Sequence, residues 1–122
     1  MDITKYLNLT DVKVGILDKE YTINKSFRAT LSLIELERNF KQLDGEDKET
    51  AIMRRLVSSL EIIFGKEINE VLDKLTVENI LKIYEITIQL RNNVPIELIE
   101  NRLNGLEEFN DKKDNKEKKK KK

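Results

Sequence analysis

The feature that most constrains this chain is the spacing of its large apolar residues. From Ala29 to Phe109 they recur three and four positions apart, in runs interrupted at Gly45, Gly65 and Asn92-Asn93. An α-helix turns once in 3.6 residues, so each run gathers its apolar side chains on one face. Helices with such stripes are stable only when they cover one another.

The runs predict five helices. Asn24 and Ser26, good capping types, precede a stripe of Ala29, Leu33, Leu36, Phe40 and Leu43, widened by Phe27, Leu31 and Ile34. Asp44-Gly45 is expected to end this helix, with Gly in the left-handed cap. A second helix starts near Asp47, carries Ile52, Leu56, Leu60 and Ile63 with Met53, Val57 and Phe64 beside them, and stops at Gly65. A short third helix, Lys66 to Leu75, presents Ile68, Val71, Leu72 and Leu75. Thr76 reads as the N-cap of a fourth. That helix has two apolar rows: Val77, Ile80, Leu81, Tyr84 and Ile88 as the core stripe, and Ile83, Ile86 and Leu90 as a second. Pro95 suits the first turn of a fifth, which continues through Ile96, Ile99, Leu103, Leu106 and Phe109.

Ahead of the helices the period changes to two. Val12, Val14 and Ile16 alternate with Lys13 and Gly15, residues 17–20 break the pattern, and Tyr21-Thr22-Ile23 resumes it. This is a β-hairpin over about residues 11–23. A lone hairpin is marginal, so it must pack on the helices or pair with another chain. Residues 1–10 read as a short arm or helical turn. The expected fold class is therefore mainly α (α+β): one domain, residues 1–110, with an N-terminal hairpin followed by a compact bundle of four to five helices. Residues 111–122 are expected to form a disordered, Lys-rich basic tail. With 122 residues, 6% aromatic and no Trp, the chain can build one modest core of Ile, Leu and Val.

Composition narrows the function. There is no Cys and no His, which removes the thiolate nucleophile, the zinc–thiolate site and the commonest general base. The four glycines are isolated, so no phosphate loop is present. Asp44, Glu46, Asp47 and Glu49 do not match the spacing of a calcium loop and read as a solvated helix start. Arg54-Arg55 read as surface residues flanking a buried stripe, or as contacts to an acidic partner. No catalytic, cofactor or metal site is expected. No basic region followed by an apolar run opens the chain and no apolar stretch nears the ~20 residues of a membrane span, so the expected location is the cytoplasm. What remains is protein binding.

The best candidates for a partner surface lie on the fourth helix. Ile83, Ile86 and Leu90 share it with a separate core stripe, so some of them are expected to lack an internal partner. Tyr84 fits either an interface hot spot or core packing with its hydroxyl in water. A homo-oligomer is open on the same grounds.

The net charge of zero hides an asymmetry. Residues 111–122 carry eight Lys against three acids, whereas residues 1–110 carry 15 basic and 20 acidic groups. The acidic body argues against a nucleic-acid-binding domain. Lys118, Lys119, Lys120, Lys121 and Lys122 form an unbroken run. They can be a solubilising tail or a contact to an anionic surface. They can also mark the gene: with 14 Ile, 17 Lys and 11 Asn the composition fits an A/T-rich genome, where Lys codons become a run of A on which a ribosome slips.

In its order of parts the chain resembles a known family. A hairpin (VKVGILDKEYTI), a helix, a helix ending in LEIIFGKEINEVLDKL and the segment TVENILKIYEITIQL are together similar to the tail assembly chaperones of long-tailed bacteriophages, of the prophage type found in low-G+C Gram-positive hosts. The resemblance covers roughly residues 10–92 and is most telling around Phe64-Gly65-Lys66-Glu67. It implies a protein that binds the long helical tape measure protein and keeps it soluble during tail assembly. It also implies a second, longer product made by programmed frameshift near the end of the short one, whose extension recruits tail tube protein. The alternatives from the residues themselves are a small nucleic-acid-associated regulator using the basic tail, and a structural phage tail protein.

Overall fold

The computed structural model describes residues 1–105, and the expectations for Leu106, Phe109 and the tail 111–122 lie outside them. The chain is mainly α with an N-terminal hairpin. Strands β1 (Lys13–Ile16) and β2 (Lys19–Thr22) lead into helices α1 (Phe27–Asn39), α2 (Lys48–Phe64), α3 (Ile68–Leu72) and α4 (Val77–Arg91). A further helix, α5, occupies residues 96–105. Before the hairpin, the arm makes one 3₁₀ turn, Thr4–Tyr6, closed by the Asp2 carboxylate accepting from the Thr4 amide at 2.9 Å.

The hairpin is antiparallel, with Val14 opposite Tyr21 and Ile16 opposite Lys19. Its turn is therefore Leu17-Asp18 alone, tighter than the four-residue link expected, and Lys19 and Glu20 belong to β2. Period-two alternation brings Val14, Ile16 and Tyr21 to one face, which meets Leu56, Leu60, Ile68, Val71, Leu72 and Ile80. The hairpin thus packs on its own helices. Lys19 also pairs with Glu70 of α3, the contact that raises the Lys19 pKa and lowers that of Glu70.

A second cluster gathers Ile23, Ile63, Leu90 and Ile99, with Leu33, Ile88 and Leu103 against it. Val14 and Phe64 touch both clusters, joining them into one core. The Phe64 ring tilts against Tyr21, centroids 5.7 Å apart. α2 is the central helix: Leu60 and Ile63 are almost fully enclosed. Burying each such side chain contributes about 1.5–3 kcal/mol.

The caps follow the sequence. Ser26, Asp47 and Thr76 accept from the Ala29, Thr50 and Asn79 amides and begin α1, α2 and α4. The Thr50 amide also holds the Asp47 carboxyl below its usual range. Gly65 ends α2 at φ 92°, a conformation open to Gly, with its amide donating to the Glu61 carbonyl at 2.8 Å.

Helix boundaries and faces differ from expectation at several places, and Phe27, Leu31 and Ile34 are exposed and do not widen the α1 stripe. α1 stops at Asn39, and Phe40 turns extended, so Leu43 never joins the stripe and is exposed. The cause is Arg54. Its guanidinium lies 4.4 Å from the Phe40 ring centroid, donates to both Glu46 carboxylate oxygens at 2.9 and 3.0 Å, and donates to the Lys41 carbonyl at 3.0 Å. These contacts favour a turn over another round of helix, and Gly45, at φ 79°, sits in that turn instead of capping α1. Ile52 is exposed, because Ala51 takes the inward position beside it. α3 is shorter than Lys66–Leu75, entered through a 3₁₀-type turn in which Ile68 and Asn69 donate to the Gly65 and Lys66 carbonyls.

Candidate functional site

On α4 the expected core stripe holds in part: Ile80, Tyr84 and Ile88 meet the core, whereas Val77 and Leu81 are exposed. Ile80, Thr87 and Leu90 are buried, and Ile83 packs beside them against the core. This row, at three–four–three spacing, is the true inner stripe. Ile86 packs against the second cluster. Ile83, Ile86 and Leu90 therefore have internal partners, contrary to the expectation that some would lack them. The outer row is Val77, Leu81, Tyr84 and Ile88, at four–three–four spacing, and its last two members also touch the core. Val77 is 55% exposed, Leu81 is exposed, and Tyr84 and Ile88 are half-buried. Thr87 is what misleads: a polar type at a position that is 1% exposed hides the inner stripe from a reading of apolar residues alone.

Tyr84 and Ile88 form one wall of a groove of about 200 Å³. Leu33 and Leu36 of α1 form the other, and Ser59 of α2 lies between. The floor exists because position 59 is small: the Ser59 hydroxyl folds back to donate to the Arg55 carbonyl at 3.1 Å, leaving an opening above it. Glu37 and Arg55, 3.8 Å apart, stand at the groove as an exposed ion pair. The walls are held apart at one end by Arg91. It donates from α4 to the Asn24 carbonyl at 3.0 Å and to the Thr30 hydroxyl at 2.7 Å, fixing the start of α1. Burial lowers the pKa of this guanidinium from its ordinary value.

Four of the groove's lining side chains, Leu33, Leu36, Tyr84 and Ile88, are largely apolar, and the Glu37–Arg55 pair and Ser59 complete the lining. Its volume is below the roughly 300–1,000 Å³ usual for small-molecule sites. It is suited to large apolar side chains from another helix laid between α1 and α4. A larger opening of about 630 Å³ lies between residues 8–11, Thr22–Ser26 and the end of α2. Its walls mix short polar side chains with Leu9, Ile23, Ile62, Ile63 and Phe64, and part of its loop backbone is paired, as the Asn24 amide is with the Ile63 carbonyl at 3.0 Å.

The other residues singled out in the sequence have structural places. Asp47 caps α2, and Glu46 is held by Arg54, whose hydrogen bonds, together with the Leu43 amide, keep the Glu46 carboxyl below the usual range. Arg54 organises the α1–α2 connection and Arg55 faces the groove. Lys118–Lys122 lie outside the described residues. Among the described residues no helix is long and apolar enough to cross a membrane. No protein-family model, curated protein or solved structure matches this chain.

Proposed function

We propose that this protein is a tail assembly chaperone that binds the tape measure protein and keeps it soluble in the bacterial host cytoplasm while a phage tail assembles. It is a binding protein with no catalytic role and no cofactor. The observation that carries the reading is the groove between α1 and α4, walled by Leu33, Leu36, Tyr84 and Ile88. A tape measure protein is long and helical, and its amphipathic helices need temporary cover for their apolar faces. A shallow groove that takes a few side chains at a time supplies such cover weakly, and many copies along the client supply the strength. The order of hairpin and helices around Phe64-Gly65-Lys66-Glu67 supports the same family. The run Lys118–Lys122 suits a short product whose frameshifted form continues beyond it and recruits tail tube protein.

Co-expression with the tape measure protein encoded beside this gene tests the reading. The full chain should move most of the client into the soluble fraction, and Leu36→Asp or Tyr84→Asp should return it to the pellet while the chain itself stays helical. A client that remains insoluble with the unaltered chain rejects the proposal. A chaperone is absent from purified particles, whereas a structural tail protein stays with them.

The eight Lys of residues 111–122 favour a second reading, a nucleic-acid-associated regulator. It requires binding that weakens steeply with salt and disappears when residues 111–122 are removed. Client binding through the groove survives that truncation.

A further inference from the structure

α1 is apolar on two sides. Ala29, Leu33 and Leu36 face α2 and the groove, whereas Phe27, Leu31 and Ile34 are 76%, 41% and 43% exposed. At about 100° per residue these three form a row on the far side of the helix, and exposed Arg38 continues it at the next four-residue step. A surface helix normally shows water a polar face there, so a second apolar row calls for cover. Along one edge of the row lie Arg28 and Glu35. Both are exposed, and among the described residues neither makes an ion pair or a side-chain hydrogen bond.

We propose that this row pairs with the same row of a second copy of the chain, antiparallel, about a two-fold axis. Such an axis makes every contact occur twice, residue i against j and j against i. Setting Leu31 over the second copy's Ile34 centres the axis between them. Arg28 then meets the second copy's Glu35, twice, and the Arg38 guanidinium reaches the second copy's Phe27 ring, also twice. A parallel pairing would carry this edge to opposite sides of the seam and leave Arg28 and Glu35 apart, so only the antiparallel one brings the charges together. The proposal stands independently of the groove, which opens on the other side of α1 and stays uncovered in the pair. One helix per copy is a small interface, so dissociation on the order of micromolar is expected.

Sedimentation velocity of the full chain over a concentration series tests the pairing, with circular dichroism confirming that each variant stays folded. The unaltered chain should pass from monomer to dimer. Leu31→Asp, at an exposed position, should leave monomer throughout. Arg28→Glu and Glu35→Arg should each weaken the dimer about tenfold, and the two together should restore it to within about threefold. A chain that is monomeric at all concentrations overturns the proposal, as does a dimer indifferent to Leu31→Asp. A dimer lost with Leu31→Asp but without rescue by the double reversal overturns the antiparallel register.

Discussion

Two residues carry strain or an unmet demand that the rest of the fold tolerates. Leu17 opens the two-residue hairpin turn at φ 54°, a region that costs an L-residue with a large side chain roughly 1–2 kcal/mol. Its side chain is exposed and returns nothing in packing. Leu17→Asn, a residue that tolerates this region, should stabilise the protein by about 0.5–1 kcal/mol, read as a higher urea midpoint with unchanged slope. An unchanged or lower midpoint would mean that the turn is not strained. The Tyr21 hydroxyl is buried with no hydrogen-bond partner. Its desolvation is uncompensated, so Tyr21→Phe should be neutral or stabilising by up to about 1 kcal/mol, since the ring and its contact with Phe64 remain. A loss of stability in thermal unfolding would place an unseen partner on that oxygen. Neither feature is visible in the sequence. Leu17 looks like any residue of a polar link until the register shortens that link to two positions.

At the scale of elements, the helices themselves were legible: the Ser26, Asp47 and Thr76 caps, the stop at Gly65 and the hairpin all lie where local chemistry puts them. Which face of α4 is inward was not, because Thr87 occupies a core position and Val77 and Leu81 occupy open ones. The end of α1 was not legible either, since Arg54, fourteen positions after Phe40, decides it from another helix. The α4 assignment predicts a contrast. Ile80→Ala should cost about 2–5 kcal/mol, whereas Val77→Ala, on the outer row, should cost no more than about 0.5 kcal/mol. Equal costs in chemical denaturation would return α4 to the face expected from its apolar pattern. The α1–α2 connection predicts acid sensitivity. Arg54 depresses the Glu46 pKa in the folded state, so folding gains from the ionised form. That gain is fully present above the unfolded carboxylate value and is lost as pH falls through the depressed folded one, below about pH 4. Limited proteolysis across residues 40–46 should accelerate in that range, and Arg54→Met should bring the same susceptibility to neutral pH. A cut rate indifferent to both would detach the loop from the pair.

For the whole molecule, the two sides of α1 divide the surface. Its inner side helps build the core and one wall of the groove, its outer side is the proposed contact between copies, and the groove remains open. Two copies joined back to back present two grooves facing away from each other, an arrangement suited to gathering separate stretches of one long helical client. The groove was partly legible in the sequence through Tyr84, but its other components depend on which helices become neighbours. Leu33 and Leu36 read only as core, and Ser59 has no signal of its own. The proposed function requires a helical client to lie in this groove. The most direct measurement is amide hydrogen exchange of the full chain with and without soluble tape measure protein fragments. Client binding should slow exchange in residues 33–37 and 81–88 and leave β1 and β2 unchanged. Binding that protects only residues 111–122, or that leaves α1 and α4 as they are in the free chain, would contradict it.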